Sequence, residues 1–254
     1  MIIFQLRNSI DCSVNALELI QVNQRFELWT PLHLFIVLIT FALCLLFIVW
    51  SRKTDTETAH KLGRWIGIIL ILNYFAYVIY RLSTGHWQIR YDLPMELCNW
   101  SMIASAIALL THNRTAAELS YFWVMGGSIN GVITPDLPVT FPHVYFFIFF
   151  IAHSGLVIAA MYIVAGLKLA PRPGAVWRAF LFSELYFISA YVISLLLNSN
   201  YGYTTAKPAG GSAMDFLPEW PYYLLYMQII GLLVFFLLYL PFYYRHRTTE
   251  SQSL

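Results

Sequence analysis

Seven stretches of this chain are apolar over the length that a membrane helix requires, or close to it. They run roughly Thr30–Trp50, Arg64–Leu82, Pro94–Thr111, Ala116–Ile133, Pro142–Leu167, Val176–Leu197 and Pro221–Tyr244. A helix that crosses hydrocarbon needs about 20 mainly apolar residues. The third and fourth stretches are short and polar for that role. They are predicted to lie enclosed by the others, because polar or broken backbone is tolerated at membrane depth only where protein or a cavity surrounds it. The fourth carries Gly127-Ser-Ile-Asn-Gly131. A small residue at each end of a four-residue step lets a second helix approach closely. The pattern predicts an all-α, polytopic membrane helix bundle of about seven transmembrane helices. Residues 1–29 form an extracytoplasmic or interfacial segment, residues 30–244 the bundle and residues 245–254 a cytoplasmic tail. No internal repeat or separate soluble domain is visible.

Composition agrees. Of 254 residues, 59% are hydrophobic and 11% charged, against about 25% charged in soluble domains. Mean hydropathy is +0.64. A net charge of +2 leaves no broad basic face, so nucleic acid is not an expected partner. Orientation follows from Lys and Arg in the loops. With the N-terminus outside, the cytoplasmic side holds Arg52, Lys53, Lys61, Arg64, Arg114, Lys168, Arg172, Arg178, Arg245 and Arg247, ten of the fifteen basic residues. Arg7, Arg25, Arg81, Arg90 and Lys207 remain outside. The predicted location is the cell membrane, multi-pass. No signal peptide is expected, since the first long apolar run begins near residue 30 and lacks a small-residue cleavage site.

On this topology the polar residues concentrate at the outer helix ends. Tyr91-Asp-Leu-Pro-Met-Glu96 precedes helix three, and Cys98 and Asn99 follow. Asn130 and Thr134-Pro-Asp136 end helix four. Pro142-His143 opens helix five, which carries His153 inside an aromatic run. Asn200-Tyr201 and Lys207 follow helix six. The cytoplasmic loops show scattered charges, as solvated loops do. The asymmetry predicts a polar pocket that opens toward the outer leaflet.

Each candidate has a structural alternative. Cys44 sits in a Leu/Phe run and reads as a small core residue. Cys98 reads as another core residue, as a disulfide partner of Cys12, or as a nucleophilic thiol favoured by a helix N-terminus or a histidine. His153 is the one histidine deep in an apolar run, and intramembrane ionisable groups face the bundle interior. His143 lies about 80° round the same helix, so both can look into one pocket. The i,i+4 spacing of a zinc helix is absent, and no metal is expected. Glu184 is the one carboxylate well inside an apolar run, with Asn73 or Gln228 as possible partners.

Four motifs occur in order: Leu93-Pro-Met-Glu-Leu-Cys98; Gly131-Val-Ile-Thr-Pro-Asp-Leu137; Phe141-Pro-His143 with Phe149-Phe-Ile-Ala-His-Ser154; and Asn200-Tyr201 with Lys207-Pro208. Together, over about residues 29 to 242, the chain resembles the YwaF family of integral membrane proteins, which includes the animal transmembrane protein 164. The resemblance implies a lipid acyltransferase with a catalytic cysteine and histidine that match Cys98 and His153. Where the family has Asn-Tyr-Met, this chain has Asn200-Tyr201-Gly202.

The implied chemistry takes an acyl group from a membrane lipid through a thioester on Cys98, with His153 as base and no cofactor. Asn99, Asn130 or backbone N–H groups of helix three are candidates for the oxyanion. Lys207 and Arg90 are candidates for a lipid phosphate. His143, Thr134, Asp136, Asn200 and Tyr201 complete the expected pocket. The expected partners are membrane lipids, phospholipid and lysophospholipid. Cys98 is expected about one turn into its helix and His153 about three turns into its own, which leaves open whether His143 or His153 partners the thiol. A proton-responsive permease that uses His153 and Glu184, or a non-catalytic lipid-binding protein, would share the same architecture.

Overall fold

The computed structural model describes residues 25–208 and 212–251. Its framework is α1 (Pro31–Lys53), α2 (Thr56–Ser83), α3 (Leu97–Thr111), α4, α5, α6 (Ala175–Leu197) and α7 (Tyr222–Ser251). Helix α4 runs Arg114–Trp123, passes through a π turn at Val124–Ser128 and ends as Asn130–Ile133. Helix α5 runs Val144–Met161 and ends in a second π turn, Tyr162–Gly166. Five helices are long and apolar enough to cross a membrane: α1, α2, α5, α6 and the Tyr222–Tyr244 part of α7. The chain is an all-helical membrane bundle.

Polar signals set the helix ends. Thr30 caps α1 by accepting from the His33 N–H, with Pro31 at the first helical position, where a missing N–H costs nothing. Asp55 caps α2 by accepting from the Thr58 N–H at 2.9 Å. Helix α2 therefore starts at Thr56, eight residues before the apolar stretch does. Its first two turns are polar and leave no trace in hydropathy. Helix α3 starts later than expected, at Leu97, because Pro94 and Met95 turn and Glu96 takes the cap position with an extended backbone. Helix α7 continues past Tyr244 to Ser251, through Pro241, where a tail was expected. Residues 1–24, and with them the expected Cys12 partner of Cys98, lie outside the described residues.

The two short helices form the core. Every residue of α4 from Ala116 to Val124 is buried, which an apolar coat of longer helices requires. Helices α3 and α4 are joined by hydroxyls: Ser105 pairs with Ser120 at 2.7 Å, and Ser128 donates to Ser101 at 3.0 Å. Small residues with bonded hydroxyls allow this close approach. Helix α5 contributes the buried run Leu156–Ala160. The outer helices turn large apolar side chains outward, among them Leu38 and Leu181 at 69% exposure and Leu196 at 75%. Only hydrocarbon solvates such a surface without penalty.

One end of the bundle is closed by an ion-pair cluster. Glu118, in α4, has a side chain only 1% exposed. Its carboxylate accepts from Arg172 Nε and from Arg178 Nε and Nη2, each at 2.8 Å, and from the Arg172 N–H at 3.0 Å. This corrects the picture of uniformly solvated loops at that end. The Ala116-Ala-Glu-Leu context carried no sign of a buried charge. At the other end His33, fully buried, accepts from the Trp29 N–H on Nδ1, so its Nε2 donates to the Val132 carbonyl at 2.9 Å. It ties α1 to the last turn of α4.

Removing the Glu118 carboxylate leaves two guanidinium groups without their anion. Both reach solvent in part, so Glu118→Ala is expected to cost about 3 kcal/mol, the lower end of the range for a broken buried pair. Thermal unfolding in detergent should show a clear drop for Glu118→Ala and a smaller one for Glu118→Gln. An unchanged midpoint would show that the cluster does not hold this end together.

Candidate active site

Two loops build the open end. The α2–α3 loop is anchored at Asp92. Arg81 donates to this carboxylate from Nε at 2.9 Å and from Nη2 at 3.0 Å, the Gln88 N–H donates at 2.7 Å, and the Tyr77 hydroxyl adds a further bond. Burial pushes the Asp92 carboxyl up, but Arg81, Tyr77 and Gln88 offset it and leave the group below the usual carboxylate range. The α6–α7 loop locks onto the first. Tyr201 donates its hydroxyl to the Ile89 carbonyl at 2.8 Å and accepts from the Leu93 N–H at 3.0 Å, and the Gly202 N–H donates to Glu96 at 3.2 Å. Irregular backbone at this depth is thereby satisfied by protein, as it must be.

Beneath these loops lies a cavity of about 700 Å³ whose lining includes Cys98, Asn99, Asn130 and His153. Helix length explains why Cys98 and His153 share it. At 1.5 Å per residue α3 rises about 22 Å and α5 with its π turn about 34 Å. The short helix starts well below the bundle end, so its first turn lies level with the middle of α5. Cys98 and His153 are each partly buried, as groups on a cavity wall are. Among the described residues Cys44 and Cys98 are free thiols. Cys44 is buried in the core.

The His153 ring is held on two sides. Its Nδ1 is 2.9 Å from the Phe149 carbonyl. A carbonyl only accepts, so Nδ1 carries the proton and the Nε2 lone pair is free. The Phe149 ring stacks on it at 4.2 Å with a 31° tilt. On the other side is Gly131 of α4, where an added Cβ would lie 2.0 Å from His153 Cδ2. Gly127, four residues earlier, leaves room for Leu97 in the same way. The close-approach reading of the two glycines is therefore met, with one of them backing the imidazole. The π turn at Val124–Ser128 shifts the register of α4, and Gly127 and Ser128 line the cavity. Single π turns are common at functional positions.

The remaining predicted residues stand outside the cavity lining. His143 caps α5, accepting from the Tyr145 N–H at 3.1 Å, and meets Tyr80 edge-on. Thr134 bonds back to the Asn130 carbonyl. Asp136 pairs with Arg25 at the surface. Asn200 closes its own loop through Thr205 and Ala206. Tyr201 bridges the two loops as described. Lys207 donates to the Leu217 carbonyl at 2.8 Å and to Glu219 at 3.1 Å. Arg90 is exposed. Neither basic residue reaches the cavity. Glu184 also lies away from it, accepting from Gln228 at 3.1 Å. Asn73, the other suggested partner, donates instead to the Ile148 carbonyl at 3.0 Å.

Several lining residues escaped sequence reasoning. Glu96 stood inside a quoted motif without a role. Tyr74, Tyr77, Tyr145, Tyr186 and Tyr203 were five among seventeen tyrosines, with nothing in their spacing to single them out. The Tyr186 hydroxyl is buried and has no hydrogen-bond partner among the described residues. A Cβ at Gly202 would come within 2.5 Å of it, so glycine at this position leaves the hydroxyl its space. Among the described residues no three His, Cys, Asp or Glu side chains are placed to hold a metal ion.

Gly131→Ala is expected to displace the imidazole, because a Cβ at 2.0 Å from a ring carbon forces either the ring or α4 to move. The expected outcome is a folded protein with unchanged helical content and a His153 ring signal in NMR shifted from wild type. An unshifted signal would show that α4 gives way instead.

Comparison with known proteins supplies the remaining observation. No curated protein and no solved structure matches the chain. The family model described as the TMEM164 family matches residues 26–239. That span takes in α1 to α6, the first part of α7 and both loops over the cavity, and the chain belongs to the TMEM164 family.

Proposed function

We propose that this chain is an integral membrane acyltransferase that passes a fatty-acyl group between lipids by way of a thioester on Cys98. The observation that carries the proposal is one cavity lined by both the Cys98 thiol and a His153 whose Nε2 is free to accept a proton. A thiol set among Leu, Met and Phe side chains gains little from ionising ahead of the reaction. The base must therefore take the proton as the bond forms.

In the first half-reaction Cys98 Sγ attacks the ester carbonyl of a donor lipid, and its proton passes to His153 Nε2. The tetrahedral intermediate collapses, the C–O bond breaks and the departing lysolipid alkoxide takes the proton from Nε2. In the second, the hydroxyl of an acceptor lipid gives its proton to Nε2 and attacks the thioester. Sγ leaves and is reprotonated. Asn99 and Asn130 amides and the N-terminal N–H groups of α3 are the donors available to the oxyanion. Apolar walls exclude water, which favours transfer over hydrolysis.

The basic-residue count supports a cavity that faces the outer leaflet of the cell membrane. A charged cytosolic acyl-CoA does not reach that side, because its head would have to cross hydrocarbon. A phospholipid donor needs only lateral diffusion. Glu184 is engaged with Gln228 away from the cavity, so it does not join His153 there as a permease reading would need.

Purified protein in liposomes with labelled phospholipid and lysophospholipid, and no CoA, should transfer label. Cys98→Ala should abolish transfer, and His153→Ala should lower it roughly 10²- to 10⁴-fold at unchanged helical content. Transfer at the wild-type rate by Cys98→Ala, or strict dependence on added acyl-CoA, would overturn the proposal.

A further inference from the structure

A second recess lies on the far side of α5. It is a groove of about 340 Å³ between α1, α2 and α5, lined on α5 by Phe147, Phe150, Ile151, Ser154, Gly155 and Ile158 among others. Both of its hydroxyl side chains are engaged: Thr40 donates to the Ile36 carbonyl at 2.7 Å, and its oxygen lies 2.8 Å from Ser154 Oγ. The rest of the groove lining is apolar. Its mouth carries Ile39, Ile69 and Ile151, each 42–52% exposed on helices that cross the membrane.

Leu70 lines both this groove and the Cys98–His153 cavity. It sits on the α2–α5 seam opposite Gly155, where an added Cβ would lie 2.9 Å from Leu70 Cδ2. With no side chain at Gly155, Leu70 packs into the seam at that level. One turn away the seam is closed differently, by the Asn73 amide on the Ile148 carbonyl. Leu70, itself 2% exposed, thus stands between the apolar slot and the reactive cavity and borders both.

We propose that the α1–α2–α5 groove is an acyl-chain subsite and that Leu70 is the gate through which the chain reaches it. The occupant is the hydrocarbon tail of the lipid whose ester lies at Cys98, so the proposal rests on the acyl-transfer reading for its chemistry. A flexible chain fits, and the groove lies on the opposite face of the α5 turn that carries His153. The tail crosses the seam at Leu70 while its carbonyl stays in the cavity.

The test uses full-length protein in phosphatidylcholine vesicles that contain phosphatidylcholine with a mid-chain diazirine. After photolysis, labelled peptides are mapped by mass spectrometry. Adducts should concentrate on Ile39, Ile69 and Ile151, several-fold above Leu181 and Leu196, which are at least as exposed on α6. Ile151→Trp fills the groove from its exposed mouth without disturbing the core. It should suppress the adducts and shift transfer toward shorter acyl chains, while the rate of Cys98 alkylation by iodoacetamide stays unchanged. Labelling spread evenly over all lipid-facing helices would overturn the subsite, whether or not transfer occurs. Concentrated labelling that Ile151→Trp suppresses supports it even if no transfer is found, in which case the acyltransferase reading alone falls.

Discussion

A helix of fifteen residues rises about 22 Å, short of the roughly 30 Å of hydrocarbon in a bilayer. The deficit in α3 shapes the open end of this bundle. The missing depth must be filled with irregular chain, and irregular chain at that depth must have its backbone groups bonded within the protein. Two loops meet the requirement by bonding to each other. Tyr201 serves an N–H and a carbonyl of the α2–α3 loop with one hydroxyl, and Glu96 accepts from Gly202 in return. Asp92, held by Arg81, Tyr77 and Gln88, keeps the first loop in place to receive the second. Below them the start of α3 lies open to a cavity, and Cys98 is in its first turn.

The same logic runs through the buried helix α4. Buried from Ala116 to Val124, it is free to carry polar groups that lipid would reject, and several of them join it to a neighbour. Serine hydroxyls bind it to α3, Glu118 gathers Arg172 and Arg178 at the closed end, and the Val132 carbonyl receives His33 at the open end. Near the cavity the helix loosens into a π turn and then presents Gly131 to His153. The imidazole is thus fixed by three separate features: a carbonyl that sets its tautomer, a phenyl ring that stacks on it, and a bare glycine that leaves it room.

What the sequence made legible was the balance between chain and lipid. Helices α1, α5, α6 and α7 begin within a few residues of the apolar runs, and the enclosure of α3 and α4 was visible in their shortness and polarity. The gathering of Cys98, Asn99, Asn130 and His153 at one end followed from placing polar residues on alternating helices. Contacts made through local polar turns stayed hidden. Thr56, Glu57 and Thr58 extend α2 without any apolar signal. Glu118 looks like an ordinary helix residue until Arg172 and Arg178 arrive from beyond α5. Lys207 and Arg90 carried the right charge for a phosphate, yet one is occupied by a carbonyl and a carboxylate and the other is exposed and outside the cavity lining. Tyr186 and its fellow tyrosines have no spacing that marks a pocket, because the lining is drawn from six helices and two loops.

Cys98 as a covalent carrier is the centre of the proposed mechanism. Its most direct test is peptide mass spectrometry of protein incubated in vesicles with a labelled donor phospholipid and no acceptor, then quenched in acid and digested. An acyl mass is expected on the Cys98 peptide and none on the Cys44 peptide, with release of the adduct by neutral hydroxylamine. Lipid transfer at full rate with no adduct on Cys98 at any time would contradict this mechanism.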